Sequence, residues 1–562
     1  MALETTYRDM SPSIASDCPR RWAVWAAGAV IVLAGIAAYV NSFQGLAVFD
    51  DLSMLGETHD LLQGDHSRLA SRTVATLTFA ANMYLHEDRV WGYHLVNLCV
   101  HLLAALTLMG IVRRTLLTDR LRPTFGPYAL WLAAASALLW AVHPLNTQAV
   151  TYIVQRCESL MGLLYLLTLY CFIRGATGKR HIGWYVAAVI ACFLGMGSKE
   201  NMIVILLTVP AYDRIFLSDS FKSLLRRRWG VYLGMVLSVC MLADFFIRQW
   251  SSIPREVHTD VPGGVPTMLS PLDYALSQFG VIVHYLQLAF WPSGLCLDYW
   301  WPKAPWPGGV LPYAAVVAAL LGLTVYALIR RPAWGFLGLW FFLILAPTSS
   351  VVPVVDLAFE HRMYLPLAAV VVLAVILVFL AGRGLIIRFN IFAVNRRRWG
   401  TIAGVVATLA LAAAMGYRTR LRNMDYHSQV AIWQSVVDQR PENPRGHNNL
   451  ANNLRNAGNL WGAIEHYNKT LELKPDYVET YNNRGCTYGM LNKHRWAMND
   501  FNKALAMNPN YGNAYYNRAI EFFYLRDYDR AWEDVNACRR FGGLPPDPEL
   551  LKRLMAVTGR QE

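Results

Sequence analysis

The sequence predicts an all-α protein with two parts, a bundle of membrane-spanning helices followed by a soluble array of helical repeats. Mostly apolar runs of roughly 15 to 22 residues, long enough to cross a bilayer, recur between Trp22 and Tyr417. After Tyr417 the composition shifts to Asn, Tyr, Arg and Asp, which is typical of a domain exposed to water. A 34-residue spacing then relates Asn449, Asn483 and Asn517, and a fixed period of this size is typical of stacked repeats.

Composition and charge exclude several other classes of protein. The chain of 562 residues is 55% hydrophobic, too apolar and too long for a single soluble core. Its formal net charge of +13 is attributed to Lys and Arg in cytoplasmic loops. Because no separate basic arm is present, nucleic acid is not predicted as a partner. The nine Cys show no CxxC or Cys/His ligand spacing, so neither a zinc site nor an essential disulfide is predicted.

The apolar runs predict eleven membrane spans. They cover residues 22–40, 91–112, 127–142, 159–174, 183–197, 201–216, 229–248, 309–329, 333–347, 363–381 and 399–417. Basic clusters such as Arg113-Arg114 and Arg330-Arg331 then share one side, which the positive-inside rule makes the cytoplasm. Residues 272–291 are an alternative span, but their polar side chains favour an interfacial or re-entrant helix.

This topology predicts four parts of the chain. They are a cytoplasmic N-terminal tail at 1–21, a transmembrane domain at 22–417, a linker with a leading helix at 418–440, and an extracytoplasmic repeat domain at 441–562. The first apolar run is followed by no small-residue cleavage site and is interpreted as an anchor. We therefore expect a multi-pass protein, of the inner membrane if bacterial, with periplasmic or luminal repeats.

The unusual polar residues fall in loops that share the outer side. These loops are 41–90, 143–158, 198–200, 249–308 and 348–362. Five loops converging on one face indicate one extracytoplasmic site, whereas a channel or transporter more often places ionisable residues at mid-membrane. The adjacent carboxylates Asp50 and Asp51 lie early in the first of these loops.

The soluble part matches tetratricopeptide repeats. Pro residues and small Ala residues recur at the same period, at Pro441, Pro475, Pro509, Ala463, Ala497 and Ala531. Each unit is a helix–turn–helix that buries its apolar face by stacking on its neighbours. The concave face is predicted to bind an extended peptide, because Asn both donates to and accepts from main chain. Its candidate residues are Asn449, Asn452, Asn483, Arg484, Tyr516 and Asn517. The alternative is a packed spacer with solvated polar residues.

Five local motifs follow one another along the chain. They are Phe49-Asp50-Asp51, Gly92 to Asn97, His143 to Val150 with Gln155-Arg156, Ser198-Lys199-Glu200, and Glu360 to Pro366. Together with the repeats, this order resembles the transmembrane-and-TPR (TMTC-like) protein O-mannosyltransferases and their bacterial relatives, over nearly the whole chain. The resemblance implies a GT-C glycosyltransferase fold, a polyprenyl-phosphate sugar donor used on the outer face, and an acidic base in the first outer loop. It does not settle the sugar.

Transfer of a sugar from a lipid phosphate to a Ser or Thr hydroxyl needs a base and phosphate-binding cations. Asp50 is the favoured base and Asp51 the second candidate, because a carboxylate within hydrogen-bond reach takes the hydroxyl proton. The other Asp is expected to cap a helix, and the alternative is that both only cap or are solvated. Arg suits phosphate oxygens. The phosphate candidates are Arg72, Arg362, Lys199, Arg156, His143 and His361. Their structural alternatives are snorkelling to lipid headgroups, ion pairing and a satisfied His.

The remaining expectations concern cofactors and partners. No cofactor or metal ligand set is predicted, although the carboxylates leave a divalent metal open as an alternative. The aromatic cluster Tyr299-Trp300-Trp301 with Trp306 is interpreted as a membrane-interface anchor. The less favoured alternative is a surface that stacks on sugar rings. The leading hypothesis is a membrane protein O-glycosyltransferase with a polyprenyl-phosphate sugar donor, surrounding lipids, and a protein acceptor recruited by the repeats. The alternatives are an enzyme with a glycan or lipid acceptor, and a non-catalytic scaffold for envelope assembly.

Overall fold

The structure, a computed structural model, describes most of the chain. The described residues are 21–62, 72–87, 89–178, 181–242, 257–259, 267–354, 356–389, 395–543 and 547–560. Apart from Arg21, the predicted N-terminal tail lies outside them, as do parts of the predicted loops at 41–90 and 249–308.

Helices form nearly all of the regular structure before the repeats. They are α1 (Arg21–Tyr39), α2 (Asp50–Leu62), α3 (Thr73–His86), α4 (Val90–Leu116), α5 (Arg122–Phe125), α6 (Ala129–Ala141), α7 (Thr147–Thr151), α8 (Arg156–Thr177), α9 (His181–Met196), α10 (Ile205–Tyr212), α11 (Phe221–Leu237), α12 (Pro271–Phe290), α13 (Leu311–Arg330), α14 (Pro332–Leu345), α15 (Pro366–Arg388) and α16 (Arg396–Met424). Two short antiparallel strands, β1 (Val257–Thr259) and β2 (Thr267–Leu269), form a minor addition.

Seven helical stretches among the described residues are long and apolar enough to cross a membrane. They are Arg21–Gln44, Val90–Leu116, Arg122–Ala141, Ile153–Thr177, Leu311–Arg330, Pro366–Arg388 and Arg398–His427. Two shorter apolar helices are His181–Met196 and Pro332–Leu345. The multi-pass prediction is confirmed, but the count of eleven spans is not. The predicted span at 201–216 is broken into 3-10, α and π segments around Pro210, and α12 is not among the seven.

The repeat domain has the predicted architecture. Its helices are α17 (Gln429–Gln439), α18 (Pro444–Asn456), α19 (Leu460–Leu473), α20 (Val478–Met490), α21 (His494–Met507), α22 (Gly512–Tyr524), α23 (Tyr528–Arg540) and α24 (Pro548–Thr558). Helices α18 to α23 form three pairs, and Ala463, Ala497 and Ala531 are fully buried where the helices of each pair meet. A residue with a larger side chain would separate the two helices, which explains the small-residue column.

The linker between the two parts is closely packed. Helix α16 continues past the predicted boundary at 417 to Met424 and leads through a 3-10 turn into α17. The Tyr426 carbonyl accepts a hydrogen bond from the Leu46 N–H at 3.0 Å. The Asn423 side chain donates to the Ala38 carbonyl at 3.0 Å. The chain entering the repeats is therefore fixed to the loop that carries the Asp pair.

Candidate functional site

The two adjacent carboxylates of the first loop lie in different environments. Asp51 is fully buried, and its two carboxylate oxygens accept from the Val48 N–H at 2.9 Å and the Val154 N–H at 2.7 Å. Asp50 is exposed, and its backbone N–H donates to the Tyr152 hydroxyl at 3.0 Å. Asp51 therefore ties the first loop to the second, whereas Asp50 remains an exposed residue.

The turn before Asp50 is held by the leading helix of the repeat domain. Phe49 has a φ of +50°, a left-handed conformation that costs a non-glycine residue about 1–3 kcal/mol and persists only where its surroundings hold it. Its ring packs edge-on against Trp433 of α17, with the ring centroids 5.4 Å apart. Helix α17 thus helps to set the direction in which the Asp50 side chain projects from the backbone.

Asp51→Asn is expected to lower the free energy of unfolding by about 2 kcal/mol at acidic pH, because its amide would face a backbone N–H donor. Burial raises the pKa of Asp51 to about 7, against the effect of its backbone donors. A carboxyl with a raised folded pKa stabilises fully below about pH 4 and loses that contribution as pH rises through the folded value. The wild-type advantage in melting temperature should therefore be largest at pH 4 and should fall as pH rises towards 8.

The control for this measurement is Asp60→Asn, which changes an exposed Asp of the same helix. It should leave the melting temperature within the wild-type range at every pH. A wild-type advantage over Asp51→Asn that stays constant across this pH range would contradict the assigned role of the buried carboxyl.

Four of the predicted phosphate-binding residues form one cluster around the His361 imidazole, namely His361, Lys199, Arg362 and Arg72. Burial lowers the pKa of His361 well below its ordinary value, and the charges of Lys199, Arg362 and Arg72 lower it further. The imidazole is therefore neutral at physiological pH. Its Nδ1 lies 3.1 Å from the Gln148 side-chain oxygen. The structure brings together three loops that the sequence places far apart.

The cations of this cluster differ in how their charge is compensated. Arg72 pairs with Glu200 at 3.3 Å, and Lys199 pairs with Glu158 at 2.7 Å in a buried contact. Arg362 donates to neutral acceptors, among them the Leu357 and Asp356 carbonyls at 2.9 and 2.7 Å. Among the described residues, no carboxylate forms an ion pair with Arg362, whereas Arg72 and Lys199 are each paired with one.

The other two phosphate candidates are engaged by the protein itself. The guanidinium of Arg156 is fully buried and donates to neutral groups, namely Asn97 Oδ1 at 2.6 Å, Asn82 Oδ1 at 2.9 Å, the Tyr93 carbonyl at 3.1 Å and the Thr78 carbonyl at 3.2 Å. His143 Nε2 lies 3.0 Å from the Ala289 carbonyl, and its Nδ1 accepts from the Leu145 N–H. Burial lowers the pKa of His143 to about 4. Both residues hold loops in place.

The convergence of the polar loops is confirmed. Gln148 of the second loop accepts from the His361 N–H at 2.8 Å and donates to the Leu297 carbonyl at 3.3 Å. Glu360 accepts from the Tyr299 hydroxyl at 2.8 Å. With the contacts of Asp51 and Lys199, these bonds join all five loops into one unit.

The aromatic cluster mostly faces the repeat domain. Tyr299 and Trp300 are buried. The Arg440 guanidinium lies 5.2 Å from the Tyr299 ring centroid, and that of Arg445 lies 5.4 Å from the Trp300 ring. Trp306 is 67% exposed. The anchor interpretation therefore suits Trp306, whereas Tyr299 and Trp300 form part of the contact between the two domains.

Sequence reasoning missed Arg445, which connects the repeats to the loops. Its guanidinium makes two hydrogen bonds to the Asp298 carboxylate, at 2.6 and 2.7 Å, and a third to Asp356 at 2.6 Å. A signal was present in the repeat period. The positions 34 and 68 residues further on hold Glu479 and Asn513, so an Arg here departs from the pattern of the repeats.

The predicted peptide groove is partly used by the repeats for their own packing. Arg484 binds the Asp500 carboxylate with two hydrogen bonds of 2.8 and 2.7 Å. The Asn452 oxygen accepts from the Tyr467 hydroxyl at 2.6 Å. Asn517 and Tyr516 are engaged as well, by Asn482 at 2.9 Å and by the Asp547 N–H at 3.3 Å. Asn449 and Asn483 are half-buried at equivalent positions of consecutive repeats, and they are the more available groove residues.

Among the described residues, no group of three or more His, Cys, Asp or Glu side chains is placed to hold a metal ion. The fold and the loop cluster thus define a multi-pass membrane protein that carries a tetratricopeptide-repeat domain docked on a polar site. The all-α fold class with C-terminal repeats is confirmed.

Family models agree with this description of both parts. The model for dolichyl-phosphate-mannose-protein mannosyltransferase matches residues 73–247. The tetratricopeptide repeat model matches residues 478–511, and a second TPR repeat model matches residues 451–492.

Several curated proteins are similar over most of the chain. Protein O-mannosyl-transferase TMTC1 of Homo sapiens is 26% identical, over 82% of this chain and 56% of its own length. TMTC3 of Mus musculus is 24% identical, over 83% of this chain and 53% of its own length. TMTC4 of Homo sapiens is 25% identical, over 83% of this chain and 68% of its own length. The expected resemblance is therefore confirmed: the chain has homologues among the TMTC protein O-mannosyl-transferases. It spans little more than half the length of TMTC1 and TMTC3.

Among solved structures, ArnT from Cupriavidus metallidurans bound to undecaprenyl phosphate matches with a TM-score of 0.37 and 14% identity. The match covers 74% of this chain and 77% of that chain. This similarity is too distant to define the site.

Proposed function

We propose that this protein transfers a sugar from a polyprenyl-phosphate donor to Ser or Thr hydroxyls of proteins on the outer face of the membrane. The observation that carries the proposal is the placement of an exposed acidic residue, Asp50, in a loop unit that also holds Arg362, whose guanidinium donates to neutral carbonyls. The named activity of the TMTC relatives supports mannose as the sugar.

Each group has a role in the proposed reaction. The acceptor oxygen attacks the anomeric carbon while its proton moves to the Asp50 carboxylate. The bond between the anomeric carbon and the phosphate oxygen breaks, and the electron pair leaves with the polyprenyl phosphate. Arg362 stabilises the growing phosphate charge. Arg72 and Lys199 add positive charge beside it, each still paired with a carboxylate.

The orientation in the membrane and the domain boundaries belong to the same proposal. Arg and Lys clusters between the spans favour a cytoplasmic location for residues 1–21. The loop unit and the repeat domain at 441–562 are then periplasmic or luminal. The repeats recruit the acceptor polypeptide as an extended segment.

The direct test uses the purified full chain in liposomes with radiolabelled polyprenyl-phosphate mannose. Ser/Thr-containing proteins, free glycans and lipids are offered as acceptors, and intact-mass analysis identifies the product. Label on Ser or Thr supports the proposal. Label only on a glycan or lipid would replace the protein acceptor, and no transfer from this donor or from other polyprenyl-phosphate sugars would favour a non-catalytic scaffold.

The groove is tested by the double variant Asn449→Ala/Asn483→Ala. Two lost hydrogen bonds of about 0.5–1.5 kcal/mol each should raise the KM for a protein acceptor roughly tenfold or more. The turnover at saturating acceptor should stay close to wild type, because neither residue lies among the loops. Asn456→Ala, at an exposed position of the same first helix, is the matched control. An unchanged KM in the double variant would count against acceptor binding by these residues.

A further inference from the structure

Arg445, from the first repeat, lies between carboxylates of two outer loops. Nε and Nη2 of its guanidinium bind the two oxygens of Asp298, and Nη2 also binds Asp356 at 2.6 Å. The side chains of Arg445, Asp298 and Asp356 are only 18%, 6% and 24% exposed. A bidentate, mostly desolvated pair of this kind fixes both partners in one geometry.

The first turn of α18 also contacts the loop that carries Asp298. Asn443 caps the helix by accepting from the Gly446 N–H at 2.9 Å. The same side chain donates to the Asp298 carbonyl at 3.3 Å. Arg445 is therefore held on a rigid element whose first turn is itself attached to the loop.

Asp356 links Arg445 to the proposed phosphate site. Its carboxylate accepts from Arg445, while its carbonyl accepts from Arg362 Nη2 at 2.7 Å. One residue thus joins the repeat domain to Arg362. Moving Arg445 would change the support of Arg362.

Asp50 is sensitive to the same pair of charges. The ionisable groups that act on it are Asp51, Tyr152, Asp356 and Arg445. Partial desolvation by the surrounding protein raises the pKa of Asp50 first of all, and Asp356 raises it further, whereas Tyr152 and Arg445 lower it. Without Arg445 the negative charge of Asp356 would act on Asp50 unopposed.

We propose that Arg445 is a positioning residue of the transferase site, through which the first repeat completes that site by holding Asp356, the residue that supports Arg362. The proposal rests on the proposed function. It assigns the repeat domain a part in the chemistry of the loops in addition to acceptor binding.

The test compares Arg445→Gln and Arg445→Lys in the full chain. In wild type, kcat/KM should rise with pH as the base ionises. Arg445→Gln removes the positive charge, so this acidic limb should move to higher pH by about half a unit or more. Arg445→Lys keeps the positive charge but loses the paired hydrogen bonds of the guanidinium to a carboxylate. The acidic limb of its pH profile should therefore stay near the wild-type position while kcat falls.

The matched control is Arg518→Gln. Arg518 binds Asp534 with the same two-bond geometry, at 2.7 and 2.8 Å, within the third repeat and away from the loops. It should leave the pH profile unchanged. Hydrogen exchange of residues 356–362 gives a second readout, and exchange should speed up in Arg445→Gln only.

Two results would overturn the positioning role. One is an Arg445→Gln variant whose activity falls without a shift of the acidic limb, which would show a purely structural contact. The other is an Arg445→Gln variant that behaves like Arg518→Gln in both readouts. A wild type that transfers no sugar would overturn the proposed function itself, and that result is recognised before any variant is compared.

Discussion

Asp50→Asn should reduce sugar transfer by roughly 100- to 10,000-fold, the range expected when a general base is removed. The amide has nearly the shape of the carboxylate but cannot take the acceptor proton. The fold should be unaffected, because Asp50 is exposed and its backbone N–H bond to Tyr152 is kept in the variant. Initial rates with radiolabelled polyprenyl-phosphate mannose and a protein acceptor measure the effect.

Donor binding separates this loss from a damaged site. Asp50→Asn should bind unlabelled polyprenyl phosphate with nearly the wild-type Kd, since the substitution removes none of the phosphate candidates. Asp60→Asn, on the exposed part of the same helix, should retain full transfer. A rate within threefold of wild type for Asp50→Asn would exclude this residue as the base.

Lys199→Met should destabilise the protein by about 3–5 kcal/mol, because it leaves the buried carboxylate of Glu158 without its partner. Lys199 Nζ lies 2.7 Å from Glu158 Oε2, and the two side chains are only 8% and 2% exposed. Thermal unfolding in detergent measures the loss. A melting temperature equal to that of wild type would show that the pair contributes nothing to stability.

A double variant then separates structure from function at this pair. Lys199→Met/Glu158→Leu replaces both charges by apolar groups and should recover most of the lost stability. If Lys199 also acts on the donor phosphate, the recovered protein should still show a raised KM for the polyprenyl-phosphate sugar. Full recovery of both stability and donor KM would restrict Lys199 to a structural role.

The fold followed from the sequence where the signal was periodic or long. The repeats were predicted with their period, since Ala463 and its equivalents pack against the partner helix in each repeat. The sequence predicted that the first part of the chain spans the membrane several times, but it did not give the number of spans. Pro210 interrupts the helix within one predicted span, and an apolar composition alone does not show whether a segment forms one long helix or several short ones.

The site was harder to predict because the sequence gives residue types and not their partners. Arg156 and Arg362 both lie in the local motifs, and both are buried against neutral acceptors. Arg156 donates to Asn97 and Asn82, and Arg362 donates to the carbonyls of Leu357 and Asp356. The two Asp residues differ by one position and have opposite exposures. Arg445 was missed because it was treated as part of a repeat, although it departs from the repeat pattern.

The close packing between the linker and the first loop constrains how the chain is threaded through the bilayer. Leu46 follows α1 directly and is hydrogen-bonded to Tyr426, which precedes the repeats. Two segments in direct contact occupy the same aqueous compartment, so the chain between them crosses the membrane an even number of times. With α1 added, the total is odd. Seven, nine and eleven crossings satisfy this parity, whereas adding α12 alone to any of them would violate it.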